Sequence, residues 1–205
     1  MWAREHGCPW HEDMEDWVTG LDTDCCALAA CGGHLEVLKW ARENGCPWST
    51  WTFASAAYGG HLKVLRWLRE HFCPCDAGTC EWAAKGGRLE VLQWAREHDC
   101  PWDERTCESA AERGHPELLK WAREHGCPWD ATTCREAARN LEMLKWALEQ
   151  GCDWDESTCE CAVKSGHLEV LMWAREHGCP WDKPRCLMSA TVFHRTEIRR
   201  WVEEH

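Results

Sequence analysis

The chain repeats one motif of 27 residues along most of its length. In the best-preserved copy, a short segment begins at Thr106, a Gly-His step stands at 114–115, and a longer segment leads to a Cys-Pro-Trp sequence at 127–129. A fixed period of about 20 to 50 residues is typical of stacked repeats, in which no unit can bury its apolar faces without a neighbour. The period predicts a single elongated array over residues 1–205, without an internal domain boundary.

Two irregularities interrupt the period. The Cys that opens the Cys-Pro-Trp step recurs at intervals of 38, 27, 27, 27, 25 and 27 residues. The long interval predicts an irregular first connector at 11–24, after a partial unit at 1–10 that begins part-way through the motif. We therefore expect either further chain upstream or an unfinished first unit. The short interval falls at Arg139 and Asn140, where other units have a Gly-His turn, and the final helix is expected to cap the array.

Each unit contains two helical patterns. In the longer one, at 35–44, apolar residues cover more than half of the helix circumference, which predicts a helix packed on several sides. Gly45 is expected to cap this helix in the left-handed conformation, and the next Pro cannot continue it. The shorter helix has close-packing Ala pairs and is expected to begin at a Thr acting as N-cap. These predicted N-caps are Thr79, Thr106, Thr133 and Thr158.

The patterns together predict an all-α fold, a helical repeat solenoid of stacked helix-turn-helix units, because no segment shows the alternation of a sheet. The formal net charge of -12 argues against a nucleic-acid partner, which needs clustered Lys and Arg, and favours a basic or neutral protein. No apolar run approaches the roughly 18 residues of a membrane span, and the N-terminus lacks a signal-peptide pattern. We expect an intracellular, cytoplasmic, monomeric array that contacts no membrane.

The order Thr-x-x-x-Ala-Ala-x-x-Gly-His-Leu-Glu-Val-Leu-x-Trp resembles the ankyrin repeat. The likeness recurs through nearly the whole chain and ends at Trp201. It implies paired inner and outer helices, and a protein-binding scaffold whose partners contact the concave face made by the inner helices and the connecting hairpins. Ankyrin units have about 33 residues, so the shorter period here predicts that the hairpin is reduced to a turn.

Cysteine is the first candidate for chemistry, because most units carry a Cys-x6-Cys pair. The unit that begins at Cys46 has Phe53 in place of the second thiol, and Phe and Cys are interchangeable only as apolar filler. Buried reduced thiols are the favoured interpretation; disulfide bonds and metal binding are the alternatives. The strongest metal candidates lack the short Cys-x-x-Cys spacing of structural zinc, and we predict neither metal nor cofactor. They are Cys73, Cys75 and Cys80, and Cys152, Cys159 and Cys161.

Histidine and tryptophan also recur with the period. One histidine set is predicted at the end of the longer helix and the other at the turn before it, and both are interpreted as structural because they are copied from unit to unit. An active site is one constellation of unlike residues, so the copied pattern predicts a protein that is not an enzyme. The Trp of the Cys-Pro-Trp step is interpreted as a plug over the seam between repeats, with an aromatic binding row as the alternative.

Residues that vary among otherwise similar units are free to specify a partner, and Trp, Tyr and Arg often anchor interfaces. Neutral drift on a solvated face is the competing explanation. The sequence thus favours a non-enzymatic protein-binding scaffold; the alternatives are a thiol-based metal-binding or redox-sensing repeat protein and an array with only a structural or decoy role. The candidate partner-binding residues are Trp51, Ser55, Tyr58, Trp82, Lys85, Arg105, Ser109, Arg113, Arg135, Arg139 and Lys164.

Overall fold

The computed structural model describes residues 25–205, and this part of the chain is helical, with no strand. Seven helical hairpins follow one another in it. The first helix of each hairpin is called inner and the second outer. The helices are α1 (Cys25–Cys31), α2 (Leu35–Glu43), α3 (Thr50–Gly59), α4 (Leu62–Glu70), α5 (Ala77–Lys85), α6 (Leu89–Glu97), α7 (Glu104–Glu112), α8 (Pro116–Glu124), α9 (Ala131–Ala137), α10 (Leu141–Glu149), α11 (Glu156–Ser165), α12 (Leu168–Glu176), α13 (Lys183–Val192) and α14 (Thr196–Glu204).

The chain divides into two compact units, 1–102 and 103–205. In the first, inner helix α3 packs against α1 and α5. In the second, α9 packs against α7 and α11, and α11 packs against α13. The all-α repeat fold predicted from the sequence is confirmed. The single array over 1–205 stays a prediction, and the partial unit at 1–10 and the connector at 11–24 lie outside the described residues.

The core of each unit is formed by residues that recur at the same position in successive hairpins. Small Ala side chains on the inner helices are buried, which lets neighbouring helices approach closely. Every described outer helix except α14 adds a fully buried Leu, such as Leu65 and Leu92 in the first unit or Leu119 and Leu144 in the second, and α14 buries Val202 instead. Phe53 is fully buried at the position where the other hairpins have Cys, as expected if both side chains fill apolar space. The hairpins thus share one burial pattern, in which Phe53 is one of the few substitutions.

The prediction that Thr caps the inner helix is wrong by three residues. The N-caps are the preceding acidic or hydroxyl residues; Asp130, in an extended conformation, accepts hydrogen bonds from the backbone N–H groups of Thr132 and Thr133. The Thr lies at the third helical position and is buried, and Thr158 there accepts from the backbone N–H of Asp155. Both residue types can cap, and the Asp side chain reaches the free amides from outside the helix.

The Cys of the Cys-Pro-Trp step ties the two helices of its own hairpin together. Its Sγ lies within hydrogen-bond distance of the carbonyl oxygen of the inner-helix N-cap: 3.5 Å from Cys127 to Asp103, 3.5 Å from Cys152 to Asp130 and 3.6 Å from Cys179 to Asp155. The thiol is a weak donor to an oxygen that begins the helix. These contacts give the recurring Cys a structural role.

Candidate functional site

Four of the candidate residues form an aromatic patch in the first unit, which consists of Trp51, Tyr58, Trp82 and Lys85. The ring centroid of Trp82 lies 4.7 Å from that of Trp51 and 5.7 Å from that of Tyr58, both in edge-on contact. Lys85 places its Nζ 4.5 Å from the Trp82 ring. Two inner helices, α3 and α5, carry all four side chains, and their packing brings the rings together.

The aromatic patch is open to solvent on one side. Tyr58 is 41% exposed, and Trp51 and Trp82 are half-buried. Lys85 also forms an ion pair of 2.8 Å with Glu81, one helical turn earlier, which holds the ammonium group over the ring. Large aromatic side chains with a positive charge beside them are common anchors of protein interfaces. The variation between repeats marks the three rings and Lys85, but it does not mark Glu81.

Three further candidates, Arg135, Arg139 and Lys164, line a groove in the second unit. Its volume is 770 Å³, and its walls come from the consecutive inner helices α9, α11 and α13 and from the turn that follows α13. Arg185 and Arg195 lie in the same walls, and Phe193 adds an exposed apolar face. This basic groove therefore joins residues from three hairpins, which the periodic sequence alone does not bring together.

Two carboxylates hold the cations of the basic groove. Glu136 accepts from Nε of Arg135 at 2.9 Å and from Nε of Arg139 at 2.8 Å. Glu160 pairs with Nζ of Lys164 at 2.8 Å and with Nε of Arg185 at 2.9 Å. The side chains of both glutamates are about one-tenth exposed. The acidic partners thus lie beneath the surface, and the cations lie above them.

The ion pairs in the groove shift the pKa values of Glu160 and Arg139. Burial alone would raise the pKa of Glu160, but the hydrogen bonds from Lys164 and Ser189 and the charge of Arg185 outweigh it, so the pKa lies below its ordinary value. Burial alone would lower the pKa of Arg139, and the hydrogen bond to Glu136 raises it instead. Each of these groups keeps its charge over the ordinary pH range. Glu136 and Glu160 are not among the predicted site residues, although each stands at helical spacing from a predicted one, i, i+3 from Arg139 and i, i+4 from Lys164.

The remaining candidates lie outside both surfaces. Ser55 and Ser109 are buried in the inner helices and present little surface to a partner. Arg105 binds its own N-cap, with Nε and one terminal nitrogen 3.0 Å and 2.7 Å from Asp103. Arg113 follows α7 and places its Nε 3.8 Å from Glu112. Sequence variation between the repeats therefore identifies exposed binding positions only in part.

The thiols meet in pairs that differ from the Cys-x6-Cys pairs of the sequence. The neighbouring thiol of Cys127 and burial raise the pKa of Cys107, and the inner-helix Cys and the later Cys of the next two hairpins are related in the same way. Cys75 and Cys100 place their sulfur atoms 3.3 Å apart. Burial and this contact raise the pKa of Cys100. The sixteen cysteines between residues 25 and 205 are free thiols, and no group of three or more potential ligands in that range could hold a metal ion.

The recurring His and Trp residues pack against one another. The imidazole after each of several outer helices stacks on the Trp four residues earlier, as in Trp121 and His125 with centroids 4.2 Å apart, and its Nδ1 lies 2.7 Å from that Trp's carbonyl oxygen. The connector Trp129 lies edge-on to Trp146 of the next outer helix, under the guanidinium of Arg123. This geometry supports the structural interpretation of both residue types. His6 and Trp10 lie outside the described residues.

Comparison with solved structures agrees with this architecture. The chain is similar to the ankyrin repeat domain of human ASB11 in its crystal structure, with a TM-score of 0.59 and 17% identity over 76% of this chain and 84% of that one. It is also similar to two crystal structures of the pentatricopeptide repeat protein PPR10 in complex with an 18-nt psaJ RNA element, each with a TM-score of 0.53 and 9% identity. The match covers 87% of this chain and 32% of PPR10, so the chain spans about a third of that protein.

No protein-family model and no curated protein matches the sequence. At identities below one-fifth the likeness concerns the fold, and the class it defines is the all-α helical-repeat protein. Within that class the described chain has an ankyrin-like fold, which confirms the resemblance predicted from the motif. None of its helices between residues 25 and 205 has the length and apolarity needed to cross a bilayer.

Proposed function

We propose that this protein is a non-enzymatic scaffold that binds a protein partner through the exposed edges of its inner helices. The observation that carries the proposal is the aromatic patch, in which Trp51, Tyr58 and Trp82 are gathered at the surface with Lys85 beside them. The packing of one repeat on the next does not require three contacting aromatic rings at an exposed edge. Apolar surface there contributes little to stability unless a partner covers it.

The rest of the described surface supports an interaction role. The recurring Cys, His and Trp residues that suggested chemistry have structural partners in the hairpins that carry them, such as Cys127, His125 and Trp129. The ASB11 neighbour is an ankyrin repeat domain, a fold that serves as an interaction scaffold, and it supplies a precedent for the architecture rather than a partner. The proposal also places the chain in a reducing intracellular compartment, which suits sixteen described cysteines that are free and of which thirteen are buried. We further propose that the array is monomeric.

The test is affinity capture from a lysate under reducing conditions, with identification of the bound proteins by mass spectrometry. Trp82→Ala removes the ring at the centre of the patch and is expected to weaken capture of the partner at least tenfold, a typical effect of truncating an aromatic anchor. Phe72→Ala is the matched control, because Phe72 is an aromatic residue of the same unit that is 92% exposed and lies after an outer helix. Circular dichroism should show that both variants keep the helical content of the wild type.

Equal capture by the wild type and by Trp82→Ala would refute the assignment of the patch. Equal loss with both variants would indicate that exposed aromatics bind nonspecifically. A thiol-based redox function is the second candidate, and the observation that favours it is the 3.3 Å approach of Cys75 and Cys100. Disulfide mapping after purification from cells treated with hydrogen peroxide tests that candidate, and recovery of both residues as free thiols would exclude it.

A further inference from the structure

The basic groove has a charge opposite to that of the chain. Five cations line it, Arg135, Arg139, Lys164, Arg185 and Arg195, against the two carboxylates Glu136 and Glu160. The side chains that line the groove thus have an excess of three positive charges, and Glu108, which lies 3.5 Å from Arg135, reduces this excess to two, on a protein whose formal net charge is -12. Cations gathered in a concave site attract an oppositely charged ligand more strongly than the same charges dispersed over a surface.

The ion pairs inside the groove do not use up its hydrogen-bond donors. Arg139 and Arg185 each bind a glutamate through Nε, and among the described residues their terminal nitrogens have no acceptor. Their side chains are 43% and 54% exposed. Arg195 donates from Nε and one terminal nitrogen to the carbonyl oxygen of Lys164, which fixes its guanidinium at the groove wall. The two buried carboxylates thus orient the cations from below and leave donors for a ligand above.

We propose that the basic groove binds a carboxylate-rich segment of a protein partner, in which an apolar side chain accompanies the acidic ones. Guanidinium groups match the planar geometry of a carboxylate and bind it through two parallel hydrogen bonds. Phe193, 46% exposed at the groove, offers the apolar contact. The inference rests on the proposed scaffold function and deepens it, because it states the chemistry of the partner at a second surface.

A peptide fits the groove better than a nucleic acid does. Binding of nucleic acid depends on neutralising many successive phosphates along an extended basic surface. Here the cations are confined to one groove of 770 Å³ and are interleaved with two carboxylates, on a chain of strongly negative net charge. The net charge of the whole chain favoured a basic or neutral partner, whereas the local charge of this groove favours an acidic segment.

The experiment measures the fluorescence anisotropy of labelled probes titrated with the full chain at low and at physiological salt. One probe is a short peptide of alternating Glu and Ser with a single Leu, the second is its twin with Gln in place of Glu, and the third is an oligouridylate of equal length. We expect the Glu peptide to bind, the Gln twin to bind at least tenfold more weakly, and affinity to fall as salt rises. The oligouridylate is expected to bind more weakly than the Glu peptide.

The variant Arg139→Gln/Arg185→Gln removes two donors and leaves each glutamate one cation, Arg135 for Glu136 and Lys164 for Glu160. It is expected to weaken binding of the Glu peptide roughly tenfold. The control Arg199→Gln/Arg200→Gln makes the same charge change on outer helix α14, at exposed positions, and should leave binding within about twofold. Thermal unfolding shows whether both variants are folded.

Failure of the Glu peptide to bind, equal binding of its Gln twin, or equal loss in the two double variants would overturn the inference. Tighter binding of the oligouridylate would overturn it in favour of a nucleic-acid groove. These outcomes are separate from those of the capture experiment. A partner that is lost with Trp82→Ala, found together with a Glu peptide that does not bind, would leave the scaffold function standing and remove only the acidic segment.

Discussion

The turn after each outer helix offers a direct test of the repeat geometry. In most hairpins a Gly holds this turn in the left-handed region, as Gly45 does at φ 85°, but the second described hairpin has Phe72 there at φ 60°. A residue with a Cβ pays a steric cost of about 1–2 kcal/mol in this region. The third described hairpin has Asp99 in the same conformation, at φ 59°. Phe72→Gly therefore removes a backbone strain that the hairpins with Gly at this turn avoid.

The magnitude can be worked from exposure and backbone geometry. Phe72 is 92% exposed, so truncating it forfeits only about 0.4 kcal/mol of apolar burial at about 25 cal/mol per Å². The larger backbone entropy of Gly in the unfolded chain costs about 0.5–1 kcal/mol. We expect Phe72→Gly to be more stable than Phe72→Ala by about 1 kcal/mol, and more stable than the wild type by about 0.5 kcal/mol.

Equilibrium unfolding in urea measures these differences in the free energy of unfolding. Tryptophan fluorescence under reducing conditions gives the urea concentration at the midpoint of each transition, and the variants are compared at a common m-value. Gly45→Ala is the reverse control. A Cβ at Gly45 would have no atom within 4 Å, so its expected loss of about 1 kcal/mol reports the backbone alone. If Phe72→Gly is no more stable than Phe72→Ala while Gly45→Ala shows its loss, the left-handed turn at Phe72 is refuted.

Three further predictions concern two buried Thr hydroxyls, the buried carboxylate of Glu160 and the reactivity of the thiols. Thr106 has a buried hydroxyl without a hydrogen-bond partner, so Thr106→Val should be neutral or stabilising in urea unfolding. The hydroxyl of Thr158 accepts from an N-cap amide, so Thr158→Val should lose about 1 kcal/mol. The pKa of Glu160 is lowered in the folded protein, so its stabilising effect is complete above the unfolded pKa of about 4.3 and is lost as pH falls through the folded value. Glu160→Gln should therefore unfold at a lower urea concentration than the wild type at pH 7. This difference in stability should shrink below about pH 4. In native protein, a thiol reagent should label Cys25 first and then the half-exposed Cys31 and Cys75, while the buried cysteines between residues 25 and 205 should react only on unfolding. Uniform labelling would contradict the packing described.

The period of the sequence predicted the fold because each copy repeats the same burial pattern. It placed the outer helices, the left-handed glycines and Phe53 correctly. The N-cap was misplaced because Thr and Asp are both good caps and stand three residues apart, and only the three-dimensional structure shows that Asp130 reaches the free amides.

The candidate surfaces were predictable only in part. Comparing copies pointed to Trp82 and Arg139, since each departs from its repeat equivalents. It could not show that Ser55 is buried, because the repeat does not say which side of a short helix is covered. Nor could it join Arg139, in the turn after α9, to Arg185 on α13, because these residues lie two hairpins apart and line one groove only when α9, α11 and α13 stack.

The central claim is that partners contact the inner helices, and site-specific photo-crosslinking in cells tests it most directly. The photoreactive amino acid p-benzoylphenylalanine is placed at Tyr58 and at Lys164 on inner helices, and at Val37 and Met172 on outer helices, all of which are exposed. The account predicts a discrete crosslinked protein from the two inner positions and none from the two outer ones. Crosslinks to the same protein from Val37 or Met172, without any from Tyr58 and Lys164, would contradict it.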